Sequence, residues 1–306
     1  MHLTVGLPTD RVHAPHEFVT AQAIGEMAAA AERAGFAAVH VTDHPAPDTR
    51  WLAGGGHHAL DPMVALAFAA ATTTTLRLQT HIMVLAYRNP FLAAKSVLSL
   101  DVLSGGRVIL GVASGYLKPE FGALGVDFDE RNELTDEAID VLRAVWSGDQ
   151  VAWHGRHFTA RGVTMAPRPR ARLPIWVGGN STAAIRRAVE RGDGWVPFPN
   201  APSIARTVRT PVIASLDDLA ARIDVMHAHA RSIGRTEPLD VCFSPLSLAS
   251  APDGTYDVAY DPARVRDEVR HLDALGVTWC VLGVRASTRA EWIDRMERLA
   301  GDVRGA

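Results

Sequence analysis

The chain has 306 residues, a formal net charge of −3 at pH 7, and a composition that is 47% hydrophobic and 21% charged. This balance excludes a disordered or fibrous protein, and it argues against non-specific nucleic-acid binding, which needs a basic surface. The longest apolar run, Met63–Ala71, has nine residues, whereas a membrane-spanning helix needs about 20. The sequence therefore predicts a globular protein without a nucleic-acid or membrane partner.

Two features predict the compartment and the domain organisation. The first residues lack the basic stretch and apolar core of a signal peptide. Only two cysteines, Cys242 and Cys280, are present, so a disulfide framework is excluded. Because no linker or low-complexity tract divides the chain, we expect a cytoplasmic protein with one domain over residues 1–306.

Short apolar runs alternate with amphipathic segments along the chain, and a glycine often follows the amphipathic segment, as at Gly35 and Gly276. A glycine just past a helix can adopt the left-handed conformation that leads the chain into the next strand. Eight strand–helix units in 306 residues favour a closed (β/α)8 barrel over an open doubly wound sheet. The predicted strands are Leu3–Leu7, Ala38–Thr42, Leu76–Val84, Val108–Ala113, Ile175–Val177, Gly194–Pro197, Leu239–Leu248 and Trp279–Val284.

Helical spacing of apolar residues is clearest in two segments. One is Leu216–Ile233, whose start has the capping-box pattern of Ser215 followed three residues later by Asp218. The other lies near Leu134–Trp146. These segments are predicted to pack on the outside of the barrel.

Two connections are longer than usual for a compact domain. Ser147–Leu173 contains a predicted hairpin, Val151–Thr159, followed by a strap rich in proline and arginine. Phe198–Ser215 follows the sixth strand and has no helical period. Because loops after barrel strands build the active site, we expect this second connection to be a lid.

The end of the fifth strand has the pattern of a phosphate site. Gly178 and Gly179 allow a ligand to approach the backbone closely. Asn180 or Ser181 then caps a helix, Ala183–Arg191, whose first N–H groups have no partner within the helix. An ordinary tight turn before a capped helix would have the same sequence.

Histidines supply the second candidate chemistry. Asp43 and His44 end the second strand and form a candidate general acid/base pair, although a loop-stabilising histidine is the alternative. His81, within the third strand, fits a core histidine as well as a functional one. A metal site is not favoured, because the first strand offers no ligand and the adjacent His57 and His58 point apart in an extended chain.

Several motifs, in their order and spacing, resemble the luciferase-like monooxygenase superfamily. Within it, the chain looks most like the coenzyme F420-dependent oxidoreductases of actinobacteria. The resemblance covers nearly the whole chain. The motifs are Ala31–Phe36, Thr42–His44, Leu85–Pro90, Leu103–Arg107, Ser114–Gly125 and Pro174–Gly179.

The resemblance implies a (β/α)8 barrel with a deazaflavin or flavin across its carboxyl-terminal mouth. It also implies a non-prolyl cis peptide between His81 and Ile82, although family members usually have a small residue at the position of His81. F420 is the implied cofactor, with FMN as the alternative that the residues alone do not exclude. The cofactor-binding residues that it implies are Asp43, Thr80, His81, Ile82, Val84, Ser114, Gly115, Val177, Gly178, Gly179, Asn180 and Ser181.

For activity, the resemblance implies hydride transfer between F420 and a small organic substrate, with His44 as the proton partner, helped by Asp43 and Tyr116. Sugar-phosphate dehydrogenases of the family have a glutamate at the position of Tyr116, so that substrate is not expected. The alternatives are an FMN-dependent monooxygenase using O2 and a cofactor-binding protein without catalysis. A homodimer is also implied. The predicted substrate-binding residues are Trp51, Tyr87, Phe198 and Arg285.

Overall fold

A computed structural model describes residues 1–200, 202, 205, 210–248 and 261–304. All eight predicted strands are present in a closed parallel barrel, so the predicted (β/α)8 fold is confirmed. The third predicted strand is divided in two, and a separate pair of strands forms a hairpin. In chain order the strands are β1 (His2–Gly6), β2 (Ala38–Val41), β3 (Arg77–Thr80), β4 (Met83–Val84), β5 (Val108–Ala113), β6 (Val151–His154), β7 (Thr159–Val163), β8 (Ile175–Gly178), β9 (Gly194–Val196), β10 (Asp240–Phe243) and β11 (Trp279–Leu282).

The barrel closes through parallel pairing around the ring. β1 pairs with β2 and with β11, and both β3 and β4 pair with β5. A cis peptide between His81 and Ile82 separates β3 from β4, as the family resemblance implies. The predicted seventh strand, Leu239–Leu248, was too long: Pro245 has no N–H for a ladder, and a 3-10 turn at Leu246–Leu248 replaces its end.

The helices form the outer layer. The capping box between Ser215 and Asp218 is present and opens the helix that was predicted from the apolar stripe. The helices of eight or more residues are α2 (Ala21–Arg33), α4 (Pro62–Ala71), α5 (Pro90–Ser104), α7 (Arg131–Ser147), α8 (Thr182–Arg191), α9 (Leu216–Ser232), α10 (Pro262–Ala274) and α11 (Arg289–Arg304). Shorter helices are α1 (Pro15–Phe18), α3 (Thr49–Ala53) and α6 (Lys118–Ala123).

Alternation along the strands divides the core into two parts. Val5 and Val39 face the helices, whereas Trp176 and Trp279 point into the barrel, where their rings meet edge to face at 5.1 Å. Both tryptophans are nearly fully buried. The barrel interior is therefore a packed core and not a channel.

The amino-terminal end of the barrel, here called the rim, is held together by charged side chains that bond to the backbone. Glu32 accepts hydrogen bonds from the N–H groups of residues 74–76, just before β3, at 2.6–2.9 Å. Arg107, just before β5, donates to four backbone carbonyl oxygens and to the hydroxyl of Thr73. These contacts fix the loops that enter the strands.

The two long connections differ in how much of them is described. The predicted hairpin is confirmed as the antiparallel pair β6–β7, but it extends past the predicted end at Thr159 to Val163. The proposed lid, Phe198–Ser215, falls partly on residues 201, 203, 204 and 206–209, which lie outside the described residues; Asn200 and Ile213 near its two ends form an antiparallel bridge. Within the described parts of the chain, no helix has the length and apolar character to cross a membrane.

Candidate active site

The carboxyl ends of the barrel strands enclose two neighbouring cavities, called here the larger lobe and the smaller lobe. The larger lobe, of about 480 Å³, lies among the segments that follow β2, β4, β5, β8 and β9. The smaller lobe, of about 290 Å³, lies at the ends of β1, β2 and β11. Thr42, His57 and His81 border both lobes, so a molecule in one lobe would lie beside a molecule in the other.

A buried histidine–glutamate pair forms one wall of the larger lobe. His44, at the end of β2, is 8% exposed and has Nδ1 3.2 Å from Oε2 of Glu120 in α6. The same oxygen accepts a hydrogen bond from the Tyr87 hydroxyl at 2.8 Å, and Oε1 accepts one from the Ala46 N–H at 3.1 Å. Glu120 itself has no solvent exposure. Three elements far apart in sequence thus hold one carboxylate against His44.

The partners of Glu120 determine its charge and the tautomer of His44. Burial raises the pKa of Glu120. The hydrogen bonds from His44, Tyr87 and the Ala46 amide lower the pKa by more than burial raises it, so the net shift is downward. An ionised carboxylate can only accept, so His44 donates through Nδ1–H and keeps Nε2 as a proton acceptor. Burial, together with the bond to Glu120, raises the pKa of Tyr87, which remains a donor.

Asp43 does not orient His44, which corrects the prediction that the adjacent carboxylate would do so. Its two oxygens accept hydrogen bonds from one guanidinium nitrogen of Arg88, at 2.9 and 3.1 Å, and Oδ2 also accepts from the N–H of Val84 at 3.0 Å. Since Val84 belongs to β4, Asp43 instead holds the segment that follows the cis peptide. The carboxylate paired with His44 is Glu120.

Aromatic rings surround His44 on its other sides. Its ring centroid lies 4.4 Å from that of Trp51, 5.0 Å from that of His57 and 6.1 Å from that of Tyr116. Burial lowers the pKa of His57 and raises the pKa of Tyr116 to about 12, the latter with a smaller contribution from Glu120. Both groups are therefore uncharged near neutral pH, and His44 lies among neutral rings.

The far end of the larger lobe has the geometry of an anion site. Gly179 has φ +121°, and a Cβ on Gly178 would lie 3.1 Å from Ile82, so both positions favour glycine. Ser181 caps α8 through the Ala184 N–H at 3.1 Å. Arg187 of α8 borders the same lobe, but its guanidinium is paired with Asp136 and bonded to Asn132, so the anion site rests on the glycines and the start of α8.

Most of the predicted cofactor residues border the larger lobe, but three do not. Thr80 and Val177 lie on the strand faces turned away from the barrel axis, and the Thr80 hydroxyl donates to the Gly111 carbonyl at 2.7 Å. The side-chain amide of Asn180 is fully buried and donates to three acceptors near the start and end of the long loop. Those that border the lobe are Asp43, His81, Ile82, Val84, Ser114, Gly115, Gly178, Gly179 and Ser181.

The predicted substrate and catalytic residues are divided among several places. Tyr116 and Phe198 border the larger lobe, and Arg285 borders the smaller one. Trp51 and Tyr87 do not border either lobe: Trp51 packs on the His44 ring, and Tyr87 bonds to Glu120. These two side chains therefore contact His44 and its partner Glu120 without bordering the lobes themselves.

Several residues that border the lobes or support them were not predicted. Glu120 falls within the family motif Ser114–Gly125, but spacing alone gives no reason to select it. His57 was discounted only as a metal ligand, and its position in a glycine-rich loop gives no sign that it borders both lobes. The other unpredicted residues at the larger lobe include Arg131, Asn132, Arg187 and Thr210.

Comparison with known proteins finds relatives of three kinds: an uncharacterized protein, an F420-dependent enzyme and an FMNH2-dependent enzyme. A protein of Mycobacterium tuberculosis described as uncharacterized is 30% identical over 85% of this chain and 84% of its own length. An F420-dependent glucose-6-phosphate dehydrogenase of Beutenbergia cavernae is 36% identical over 54% of this chain and 49% of its own. An FMNH2-dependent dimethylsulfone monooxygenase of Pseudomonas putida is 31% identical over 68% of this chain and 55% of its own.

Solved structures share the fold across the whole chain. A monooxygenase from Streptomyces bottropensis superposes with a TM-score of 0.79 at 21% identity, covering 99% of this chain and 98% of its own. An F420-dependent secondary alcohol dehydrogenase, solved with an F420–acetone adduct, superposes with a TM-score of 0.72 at 19% identity, covering 99% of both chains. The luciferase-like monooxygenase family model matches residues 1–272. The chain therefore belongs to the luciferase-like monooxygenase family, as its motifs indicate.

Proposed function

We propose that this protein transfers a hydride between coenzyme F420 and a small organic substrate, with His44 as the proton partner. The observation that carries the proposal is the buried His44–Glu120 pair, which opens onto the same cavity as the glycine end of β8. One end of that cavity can exchange a proton, and the other can hold an anion. The F420-dependent dehydrogenases among the relatives support this cofactor over others.

The larger lobe fits a flavin or deazaflavin. Gly178 and Gly179 leave space that a Cβ would fill, and Ser181 at the start of α8 lies where a phosphate group would bind. Ile82, which follows the cis peptide, borders the lobe and would contact the ring. When bound, the cofactor would supply the hydride acceptor or donor, while the protein positions the reactants.

The proton in this proposal moves at Nε2 of His44. When an alcohol is oxidised, its C–H hydrogen leaves as a hydride and Nε2 takes the hydroxyl proton; in the reverse direction, Nε2–H returns a proton to the carbonyl oxygen. Glu120 stabilises the imidazolium that forms. Tyr116 would donate a hydrogen bond to the substrate oxygen, and Asp43 would hold the β4 segment through Arg88 and Val84.

The main alternative is an FMN-dependent monooxygenase that uses O2. It is favoured by the P. putida relative, whose similarity covers more of this chain than that of the F420-dependent dehydrogenase. A cofactor-binding protein without catalysis would use the same lobe but would not depend on His44. The homodimer also stays a prediction.

A paired fluorescence titration of the purified protein with F420 and with FMN tests the proposal. We expect F420 to bind more tightly than FMN, and turnover to be detected as a change in F420 absorbance with alcohols and ketones. Tighter FMN binding with oxygen uptake would replace the proposal with the monooxygenase. Binding of neither compound would contradict the cofactor site.

A further inference from the structure

The barrel interior has a polar sector beneath the smaller lobe. Thr4 of β1, His40 of β2 and Gln79 of β3 point toward the barrel axis, and His81 follows β3. Such interior layers are usually filled by bulky apolar side chains. The His40 and His81 rings lie side by side, with centroids 4.6 Å apart. Apolar packing does not account for two histidines in this position.

Hydrogen bonds connect the two histidines through Thr4 and Gln79. The Thr4 hydroxyl lies 3.0 Å from Nδ1 of His40 and donates to Oε1 of Gln79 at 3.2 Å. The Gln79 Nε2 lies 3.4 Å from Nδ1 of His81. Because Thr4 gives its proton to Gln79, it accepts from Nδ1–H of His40. Because Gln79 donates to His81, Nδ1 of His81 is an acceptor.

These contacts give the two Nε2 atoms opposite roles. His40 carries its proton on Nδ1 and presents Nε2 as an acceptor, whereas His81 carries its proton on Nε2 and presents a donor. If the Gln79 amide were turned over, each bond would reverse: Thr4 would donate to His40, and His81 would donate to Gln79. The roles would then be exchanged, but one donor and one acceptor would remain.

Both imidazoles are neutral at physiological pH. Burial, together with His81, lowers the pKa of His40 well below its usual range, and burial lowers the pKa of His81 to about 4. A neutral imidazole has one donor and one acceptor nitrogen. The opposite roles of the two Nε2 atoms therefore persist across the pH range in which the protein would work.

Both rings lie at the wall of the smaller lobe, and His81 borders the larger lobe as well. A Cβ on Gly6, which borders the smaller lobe, would lie 3.0 Å from Nε2 of His40. Among the described residues, neither Nε2 atom has a hydrogen-bond partner. Polar atoms at a cavity wall need a ligand or water as a partner. The donor and the acceptor are thus both available to a molecule in this lobe.

We propose that His40 and His81 bind the substrate through two neighbouring oxygens, so that the substrate is a vicinal diol or the corresponding α-hydroxy ketone. A hydroxyl would donate to one imidazole, and the adjacent hydroxyl or carbonyl oxygen would accept from the other. Oxidising one carbinol of a vicinal diol removes a hydride and a proton and leaves an α-hydroxy ketone, so both forms match the pair. The lobe of about 290 Å³ has room for about ten water-sized groups, which suits a small molecule. This role as a substrate site rests on the proposed function.

The tautomers can be measured without any ligand. Nitrogen-15 NMR of the imidazoles, assigned through the wild-type backbone, distinguishes an Nδ1-protonated ring from an Nε2-protonated ring. We expect His40 and His81 to show opposite tautomers at pH 7. The same tautomer in both rings would overturn the proposal, because the pair would then present two donors or two acceptors. This measurement does not depend on F420 binding.

Binding of matched ligands tests the recognition itself. We expect the protein loaded with oxidised F420 to bind hydroxyacetone about tenfold more tightly than acetone, because one further hydrogen bond is made. His40→Phe and His81→Phe should each remove most of this preference. His2→Phe is the matched control, since His2 packs against Trp279 at 4.6 Å on the opposite end of β1, and it should leave the preference unchanged.

The outcomes separate this inference from the proposed function. Equal affinity for the two ketones in the wild-type protein, or a preference that survives both substitutions, would overturn the role of the pair. If F420 does not bind, the proposed function fails, and the same comparison on the cofactor-free protein still tests the pair. If either variant does not fold, the proposal is tested by the ratio of the wild-type affinities for hydroxyacetone and acetone and by the tautomers measured by NMR.

Discussion

The two ends of the barrel use charged side chains in opposite ways. At the rim, Glu32 and Arg107 bond almost entirely to the backbone of the loops that enter the strands. At the mouth, Glu120 bonds to one backbone amide and two side chains, and His44, which it holds, borders a cavity. Glu32 and Arg107 are thus used by the backbone, whereas His44 at the mouth borders a cavity that a ligand could enter.

This difference predicts which property each end controls. A side chain that satisfies backbone groups contributes to stability, and its loss should be seen in unfolding experiments. A side chain that borders the cavity contributes to binding or turnover, and its loss should leave the fold nearly intact. Paired substitutions test this separation, with one variant at the rim and one at the mouth where the chain allows it.

The largest effect is expected for His44→Ala. Removing a general acid/base reduces turnover by about 10²–10⁴-fold, while F420 should bind with nearly unchanged affinity. His229 is the matched control, because it also contacts a glutamate: its Nε2 lies 2.8 Å from Oε1 of Glu190. This pair does not border either lobe. His229→Ala should leave turnover unchanged. A His44→Ala enzyme with full turnover would remove His44 from the mechanism.

Glu120→Gln should have the next largest effect. Glutamine keeps the shape of the side chain but not the charge that stabilises the His44 imidazolium. A hydrogen bond to a charged group contributes about 1.5–3 kcal/mol, so we expect kcat to fall about 10- to 100-fold. The melting temperature should change little. Steady-state kinetics and thermal denaturation of the same preparation measure both, and a large loss of stability with full turnover would place Glu120 with the rim residues.

The third test compares two glycines with positive φ. Gly179 at the mouth has φ +121°, and its Cβ would lie 3.1 Å from Ala184; Gly276 at the rim has φ +88° and nothing within 4 Å. Each alanine variant should lose about 1 kcal/mol of stability because of its backbone conformation. Only Gly179→Ala should also weaken F420 binding, about tenfold. Equal F420 affinity in the two variants would separate Gly179 from the cofactor site.

The barrel could be predicted from the sequence because its signals are local. Apolar runs give the strands, and Ser215 with Asp218 gives the start of α9. Most predicted strand boundaries differ from the structure by at most two residues. The two larger differences each depend on one residue or bond: the cis peptide after His81 divides the third strand, and Pro245 shortens the seventh. The family resemblance implied the first of these, whereas the strand pattern implied neither.

The site was less predictable because its contacts join distant parts of the chain. Asp43 and His44 are adjacent, yet Asp43 bonds to Arg88, 45 residues away, and His44 to Glu120, 76 residues away. Adjacent residues at a strand end point in different directions, so adjacency does not predict pairing. The residues facing the lobes were predictable only where glycine or family position identified them.

The smallest expected effect is at the rim, where Glu32→Gln should lower the free energy of unfolding by about 1 kcal/mol at pH 7, a modest value because the side chain is partly solvent-exposed. Turnover should not change. Burial raises the pKa of Glu32, but the hydrogen bonds from residues 74–76 together outweigh burial and bring the pKa from its ordinary value of 4.5 to about 2. Its contribution is therefore complete above about pH 5 and is lost as the pH falls toward 2. Urea denaturation of wild type and variant at pH 7 and pH 3 measures this difference, with exposed Glu297→Gln as the control. A difference that does not shrink at pH 3 would mean that Glu32 stabilises the rim by packing and not through its charge.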